Sequence, residues 1–375
     1  LDPPTVAGVG HHAHPDGRAL IYYDGRSENE PPPKRKIVDI PREEVPMVER
    51  RWHPLWGEWV LVSACRMARP FLPPKDQCPL CPGVLEIPED YDLAVFENRF
   101  PALSSMPAAP TPAPDPGYET AASQGACEVV MYTSKHDTSL AEMSADEVYR
   151  LVHVWADRYR VISARPEIES VYIFENKGEE VGVTLHHPHS QIYAFPFIPP
   201  RLQAELDNVE KAAAQGKCLF CSIIDAEKKD GRRLLAENDK FIAYIPYFAR
   251  WSYEVHITAR HGISTMADFD DAACRALAEM LKFVIAKFDN LFDQSFPYMM
   301  VMHQLAQHPN YHFHIEFYPP YRDKGKLKYL AGVESGAGNF VVDCYPEDRA
   351  RQLQQTPPLD FEPVGIQVSI KETQP

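Results

Sequence analysis

The stretch NKGEEVGVTLHHPHSQIYAFPF, residues 176–197, places a His-Pro-His segment inside a run of strand-like residues. A second His-x-His segment lies in HFHIEFYPP at residues 312–320, which is also rich in β-branched and aromatic residues. In both halves of the chain a Cys-x-x-Cys pair comes first, followed by a lone histidine, a helix-like stretch, a strand-like stretch and the His-x-His segment. The lone histidine precedes the first histidine of that segment by 51 residues in both halves. The two pairs are His136 with His187 and His261 with His312. Equal spacing of this kind indicates a duplicated fold.

The duplication predicts an α+β fold of two tandem repeats, each an antiparallel sheet in the form of a half-barrel with a packed helix. A length of 375 residues suits two domains of about 150 residues each. Polar, proline-rich composition at the beginning of the chain predicts little regular structure there. The predicted divisions are an extended N-terminal segment at 1–45, a first, catalytic domain at 46–200, a second domain at 201–350 and a C-terminal tail at 351–375.

One helix is predicted between the lone histidine and the His-x-His segment of each half. The first begins at Ser144, because Glu147 three residues later completes a capping box. The second begins near Asp268 and carries an apolar stripe on one face. The polar stretch DAEKKDGRR at 225–233 is predicted to be a turn.

The cysteine and histidine spacing predicts two zinc ions per chain. Two thiolates and two imidazoles form the closed tetrahedral ligand set that is typical of structural zinc. The predicted ligands are Cys78, Cys81, His136 and His187 for the first ion, and Cys218, Cys221, His261 and His312 for the second. Unrelated surface turns would not repeat the spacing, and a redox Cys-x-x-Cys needs a thioredoxin-like setting that the sequence does not have.

His189 is the predicted catalytic nucleophile, with Gln191 beside it. Side chains alternate along an extended segment, so His187 and His189 face one side and Ser190 the other. When His187 holds zinc, His189 keeps a free ring nitrogen, and neutral imidazole is a good nucleophile near pH 7. Gln191 can donate to a phosphate without adding negative charge, whereas Glu316 in the matching place of the second half would repel phosphate. The sequence therefore predicts that only the first half is catalytic.

These motifs resemble the histidine-triad superfamily and, within it, the galactose-1-phosphate uridylyltransferase family, over residues 50 to 350. The matching segments are WVLVSACRMARP (59–70), CPLCPG (78–83), VFENRFPAL (95–103), FENKGEEVG (174–182), HPHSQ (187–191), FDNLFDQSFPYMM (288–300) and HFHIEFYPP (312–320). The resemblance implies histidine-triad-like repeats and a ping-pong reaction in which UDP-glucose and galactose 1-phosphate exchange UMP through a uridylyl-His189 intermediate. It also implies a homodimer in which the second repeat of one subunit completes the sugar site of the other.

The same resemblance implies which residues bind the substrates. The matching positions are Arg66, Arg69, Asn98, Asn176, Ser190 and Gln191 on the nucleotide side, and Lys328 and Glu334 in the hexose-binding segment. Three positions depart from the family pattern, with Arg99 in place of aspartate, Ser190 in place of glycine and Val333 in place of tyrosine. These departures leave the choice between uridine and adenosine, and the choice of hexose, open.

The second metal has an alternative ligand set in some members of the family, which use one glutamate and three histidines. The matching positions here are Glu205, His303, His312 and His314. The presence of Cys218 and Cys221 favours the thiolate set.

Composition and charge argue against several classes of binding partner. A formal charge of −15 argues against nucleic acid or an anionic membrane as the main partner, and no apolar run is long enough to span a bilayer. The first residues show no signal-peptide pattern, and Cys-x-x-Cys pairs suit a reducing compartment, so a cytoplasmic location is expected. Two related activities stay open, namely nucleotidyl transfer or phosphorolysis on ADP-sugars and hydrolysis of nucleotide conjugates.

Overall fold

The computed structural model describes residues 8–14, 16–23, 47–260 and 262–369. Within them the strands are β1 (Val9–Ala13), β2 (Ala19–Tyr23), β3 (Val48–His53), β4 (Glu58–Ser63), β5 (Ala94–Glu97), β6 (Thr120–Ala122), β7 (Ala126–Met131), β8 (Ser170–Lys177), β9 (His189–Phe195), β10 (Leu234–Glu237), β11 (Phe241–Tyr244), β12 (Val255–Ala259), β13 (Tyr298–His303), β14 (His314–Tyr318), β15 (Tyr321–Asp323), β16 (Lys326–Leu327) and β17 (Gln367–Val368). The α-helices are α1 (Ala145–Ser163), α2 (Pro200–Ala213), α3 (Leu219–Asp230), α4 (Asp271–Leu291) and α5 (Pro346–Gln355).

Twelve strands form one antiparallel sheet that runs through both halves of the chain. Their order is β1-β2-β5-β7-β9-β8-β13-β14-β12-β11-β10-β17. In the first half β9 lies between β7 and β8, and in the second half β14 lies between β12 and β13. The halves meet where β8 pairs with β13, with Met300 opposite Glu175. Two small sheets, β4-β3-β6 and β15-β16, lie apart from it.

The helices α1 and α4 occupy matching places, since each connects the two strands that flank the His-x-His strand of its half. Ser144 accepts a hydrogen bond from the Glu147 amide and Glu147 accepts one in return, so the predicted capping box is confirmed. Apolar faces of both helices pack against each other and the sheet in one core cluster, which includes Trp155, Leu277 and Ile315. The mixed α+β class with antiparallel sheets is thus confirmed.

The structure differs from the sequence-based expectations in three places. The halves share one continuous sheet, because β8 and β13 satisfy each other's edge hydrogen bonds. Residues 9–23 form a hairpin instead of an irregular segment, since the apolar strand ALIYY of β2 pairs with β5; the rest of the N-terminal segment lies outside the described residues. Residues 225–230 belong to α3, and the turn is confined to Gly231, which ends the helix in a left-handed conformation.

In the part of the chain that the structure covers, every helix is too short or too polar to cross a membrane.

Candidate active site

His189 is the first residue of β9, and its ring is held by the backbone of His187, two residues earlier. Its Nδ1 lies 2.7 Å from the carbonyl oxygen of His187. A carbonyl only accepts hydrogen bonds, so Nδ1 carries the proton and Nε2 keeps its lone pair. Burial lowers the pKa of His189, and the positive charge of Arg69 lowers it further. The ring is therefore neutral near pH 7, with Nε2 as its nucleophilic atom.

His189 lies between two cavities. The first, of about 310 Å³, is lined by residues of five segments of the first half, among them Arg69, Asn98, Arg99, Thr184 and Gln191. Asn98 Nδ2 donates to Gln191 Oε1 at 3.5 Å, which orients the glutamine amide beside the histidine. Arg69 contacts Thr184 Oγ1 at 3.5 Å and thereby keeps its guanidinium at the wall of this cavity.

The second cavity also measures about 310 Å³, and it opens on the other side of His189. Asn176, Lys177 and Gly178, from the end of β8, line it together with His187 and Ser295. The predicted contact residue Asn176 is thus brought to the reacting histidine. Lys177 is paired with Asp289, whose two carboxylate oxygens lie 2.8 and 3.0 Å from Nζ.

Two predicted substrate residues point elsewhere. Ser190 is fully buried on the α1 side of the sheet, where its Oγ accepts from Trp155 Nε1 at 2.9 Å. The hydroxyl is committed to the core because β9 alternates its side chains, and it does not face either cavity beside His189. Arg66 lies behind the wall of the first cavity and donates from Nη1 to the Tyr193 hydroxyl at 2.8 Å.

The first predicted metal site is assembled. The ligand atoms of Cys78, Cys81, His136 and His187 lie within 4.8 Å of one another. Cys81 Sγ is 3.3 Å from His136 Nδ1 and 3.5 Å from His187 Nδ1. His187 Nε2 lies 2.8 Å from the Thr133 carbonyl oxygen, so its proton is on Nε2 and its lone pair faces the sulfurs.

The donor chemistry of this cluster suits a soft divalent cation. Burial lowers the pKa of His187 to about 4, which keeps that imidazole neutral. Burial and the neighbouring Cys78 raise the pKa of Cys81 to about 11 when no cation is present. A bound cation would favour the thiolates, and two thiolates with two neutral imidazoles is the tetrahedral set that zinc prefers.

The second cysteine pair is assembled with one histidine. The sulfurs of Cys218 and Cys221 are in disulfide contact, and they lie 3.4 and 3.9 Å from His312 Nε2. His312 Nδ1 is held 2.8 Å from the Ala259 carbonyl oxygen, so Nε2 is the atom that faces the sulfurs. The fourth predicted ligand, His261, lies outside the described residues.

The alternative glutamate and histidine set is also brought together, but with one change of member. Ligand atoms of Glu205, His303, His314 and Glu316 lie within 4.8 Å of one another. His303 Nδ1 is 3.0 and 2.9 Å from the two carboxylate oxygens of Glu205. Glu316 takes the place that the family pattern assigns to His312, because the ring of His312 is directed to the cysteines.

The predicted hexose residues pair with each other. Lys328 Nζ donates to Glu334 Oε1 at 2.8 Å, and both side chains are 7% exposed. This hydrogen bond lowers the pKa of Glu334 to about 2. Neither residue lines the two cavities beside His189.

Two family models match the chain. The galactose-1-phosphate uridyl transferase N-terminal domain matches residues 40–199, and the C-terminal domain of the same family matches residues 205–356. The chain belongs to the galactose-1-phosphate uridylyltransferase family.

Relatives and solved structures agree with this assignment. A galactose-1-phosphate uridylyltransferase of Thermotoga maritima is 43% identical over 316 residues, which cover 83% of this chain and 99% of that relative. A solved uridylyltransferase structure superimposes with a TM-score of 0.74 at 35% identity, covering 81% of this chain and 97% of the other. An ADP-glucose phosphorylase of Arabidopsis thaliana with bound ADP-glucose is 24% identical, with a TM-score of 0.62 and coverage of 82% and 98%, and shows the shared fold.

The sequence did not indicate two polar residues that line the first cavity, Thr184 and Glu86. Thr184 is held against Arg69, and its position five residues before His189 was the available signal. Glu86 lies in the loop after the first Cys-x-x-Cys pair and is only 5% exposed. A buried carboxylate beside Arg69 and Arg99 is unexpected from composition alone, and no local sequence pattern marks it.

Proposed function

We propose that this protein transfers UMP from UDP-glucose to galactose 1-phosphate, giving UDP-galactose and glucose 1-phosphate. The observation that carries the proposal is the fixed ring of His189, with Nδ1 bound to the His187 carbonyl and Nε2 left to react. The names of the relatives agree with this reaction.

In the first half-reaction, Nε2 of His189 attacks the α-phosphorus of UDP-glucose. A P–N bond forms as the bond from the α-phosphorus to the bridging oxygen breaks, and glucose 1-phosphate leaves with the bonding electrons. The carbonyl oxygen of His187 accepts a hydrogen bond from Nδ1–H throughout and stabilises the positive charge that develops on the ring. In the second half-reaction a phosphate oxygen of galactose 1-phosphate attacks the same phosphorus and returns His189 to its neutral form.

Residues of both cavities beside His189 bind the phosphates of the nucleotide sugar. Arg69 offers a guanidinium and Gln191 a neutral amide to the phosphates on one side of His189, and Asn176 contributes an amide on the other. Donors that already point at the position where charge develops stabilise the transition state without reorganising. Asn98 holds Gln191 by a hydrogen bond, and Arg66 donates to the carbonyl oxygen of Phe100, which belongs to the same cavity wall.

We further propose two zinc ions per chain, each with a structural role. The first would be held by Cys78, Cys81, His136 and His187, and the second by Cys218, Cys221, His312 and His261. The first ion would fix His187, and through its carbonyl the ring of His189. Thiolate ligands require reduced cysteines, so the proposal includes a cytoplasmic location.

A homodimer completes the proposal. Lys328 and Glu334 form a preorganised pair that is separate from the cavities of their own chain. We therefore propose that this pair binds the hexose in the partner subunit, as the family resemblance implies.

The proposal is tested by following the label from UDP-glucose that carries ³²P at the α-phosphate. Protein incubated with it should retain acid-labile, base-stable label, and galactose 1-phosphate should discharge the label as UDP-galactose. His189→Gly should retain none, whereas His308→Gly, which changes a half-buried histidine of the second half, should behave as wild type.

The same assay separates the alternatives. Labelling by ADP-glucose in preference to UDP-glucose would replace the proposed substrate with an ADP-sugar. Release of free UMP at the same rate with or without galactose 1-phosphate would indicate a hydrolase. Retention of label by His189→Gly at the wild-type level would contradict the assignment of the nucleophile.

A further inference from the structure

The N-terminal hairpin, β1 and β2, lies outside the segment that the family models match, since the first model begins at residue 40. The hairpin adds two strands to the sheet beyond β5, with Leu20 opposite Phe96 and Tyr22 opposite Ala94. Asn98 follows β5 directly, so the hairpin flanks the strand that leads into the first cavity.

Arg18, in the turn between β1 and β2, connects the hairpin to Glu86 and Glu97. Its Nη2 donates to Glu86 Oε2 at 2.8 Å, and its Nη1 donates to the carbonyl oxygen of Glu97 at 2.8 Å. Asp16 holds the guanidinium from the other side, with Oδ2 2.7 Å from Nε. Arg18 is 8% exposed and Glu86 is 5% exposed, so water competes little for this pair.

The hairpin also packs beneath the loop that carries the first cysteine pair. Leu20 and Tyr22 share an apolar cluster with Cys78, Leu80 and Ile87. Leu80 and Phe96, from the same cluster, line the first cavity. One face of the hairpin thus supports the wall that a bound nucleotide would touch.

The charge on Glu86 decides what this contact does. Glu86 is the one carboxylate that lines the first cavity among the described residues. Left unpaired, it would repel the phosphates of a nucleotide and compete with them for Arg69, because charges interact strongly where water is scarce.

We propose that the N-terminal hairpin is a positioning element of the nucleotide cavity, in which the Arg18 guanidinium, held by Asp16, engages the Glu86 carboxylate and thereby allows a nucleoside diphosphate to bind. Arg18 is a positioning residue, since it acts through Glu86 and the Glu97 carbonyl. The inference rests on the proposed function only in taking the ligand to be a uridine nucleotide.

The test measures UDP binding by calorimetry, with KM and kcat for UDP-glucose, on four full-length proteins. These are the wild type, Arg18→Met, Glu86→Gln and the double variant. Arg18→Met should raise the Kd for UDP and the KM about tenfold, with a much smaller change in kcat. The double variant should regain most of the lost affinity, because the unpaired carboxylate is gone.

A matched control breaks a similar ion pair far from the cavity. Arg233 Nη2 lies 2.8 Å from Glu227 Oε2, and the two side chains are 4% and 3% exposed. Arg233→Met should lower the melting temperature without changing the Kd for UDP. If Arg233→Met raised the Kd for UDP as much as Arg18→Met, the weaker binding would be due to general destabilisation, and the inference would be overturned.

Two other outcomes would also overturn it. One is wild-type affinity in Arg18→Met, and the other is a double variant that binds UDP as weakly as Arg18→Met. If the wild type itself did not bind UDP, the proposed function would be contradicted too. The two overturning outcomes above, in contrast, leave the proposed function intact.

Discussion

Gln191 and Glu316 occupy the same position in the two halves of the sheet, two residues beyond the second histidine of each His-x-His segment, but they have different partners. Gln191 lies opposite Val129 and receives one hydrogen bond, from Asn98. Glu316 lies opposite His256 and accepts from Arg250 Nη2 at 2.8 Å. Despite burial, His256, His303 and His314 hold the pKa of Glu316 well below its usual range. The first position is left available to a ligand, and the second is filled by an internal ion network.

Gln191→Glu should therefore remove activity while the fold is kept. A carboxylate would repel the incoming phosphates and could not donate to them, so kcat/KM should fall by about 10²-fold or more. Steady-state kinetics with circular dichroism would test this. The reciprocal control, Glu316→Gln, should leave kcat/KM near wild type and lower the free energy of unfolding by about 3 kcal/mol, because Arg250 and His256 lose a charged partner.

Metal analysis distinguishes the two ligand sets of the second half. Reduced wild-type protein should contain about two zinc ions per chain, and Cys78→Ser or Cys218→Ser should each lose one. Glu205→Gln should retain both ions, because His312 faces the cysteines. Loss of an ion in Glu205→Gln, with none lost in Cys218→Ser, would assign the second metal to the glutamate set.

Ser190→Ala should affect stability and leave substrate binding unchanged. Removal of Oγ leaves the buried Trp155 Nε1 without its acceptor, at a cost of about 1–3 kcal/mol in the free energy of unfolding. The KM for UDP-glucose should stay at the wild-type value, and Trp155→Phe should suppress most of the effect of Ser190→Ala when the two are combined. A rise in KM without a loss of stability would place the hydroxyl at the substrate instead.

Glu175→Gln should change how stability depends on pH. Burial raises the pKa of Glu175 to about 7. The charge of Asp289 also raises this pKa, whereas hydrogen bonds from Tyr132 and Tyr298 and the charge of Lys177 lower it by less than burial raises it. Between about pH 4.5 and 7 the folded state keeps a proton that the unfolded state has released, so stability falls as pH rises through this range. The decrease should reach about 3 kcal/mol in the wild type and be absent from the variant, as measured by urea unfolding at several pH values.

Dimers that combine two different variants test whether Lys328 and Glu334 serve the active site of the partner subunit. His189→Gly and Lys328→Met should each be inactive alone, but unfolding and refolding them together should give about a quarter of wild-type activity, since half the dimers then hold one complete site. Mixing His189→Gly with Gln191→Glu should restore nothing, because both changes fall in the same site. Equal activity in a purified monomer would contradict the dimeric arrangement.

Much of the candidate site could be predicted because the chemistry is concentrated in short segments. The alternation of β9 placed His189 and Gln191 on one side, and the repeated spacing picked out the residues that cluster around Cys81. The placement of Ser190 against Trp155 also follows from that alternation, but the match to a phosphate-binding glycine favoured a different role.

Other features depended on partners that are distant in sequence. The strand ALIYY of β2 is apolar, but only its pairing with β5, more than 70 residues later, makes it part of the sheet. Within 225–230 the alanine, glutamate and lysine residues are good helix formers, and Arg233 links Glu227 of α3 to Glu347, more than 100 residues later. Pairing of Arg18 with Glu86 could not be read from either residue alone.

The pairing of β8 with β13 ties the two family domains into one cooperative unit. If either half unfolded alone, it would expose the edge of a central strand, with Glu175 and Met300 stripped of their neighbours. A fragment cut between residues 199 and 205 would therefore present an unprotected strand edge and associate with itself instead of persisting as a stable monomer. Heat and denaturant should accordingly melt both halves in a single transition, and a substitution that destabilises the second half should lower the unfolding temperature of the first half by the same amount.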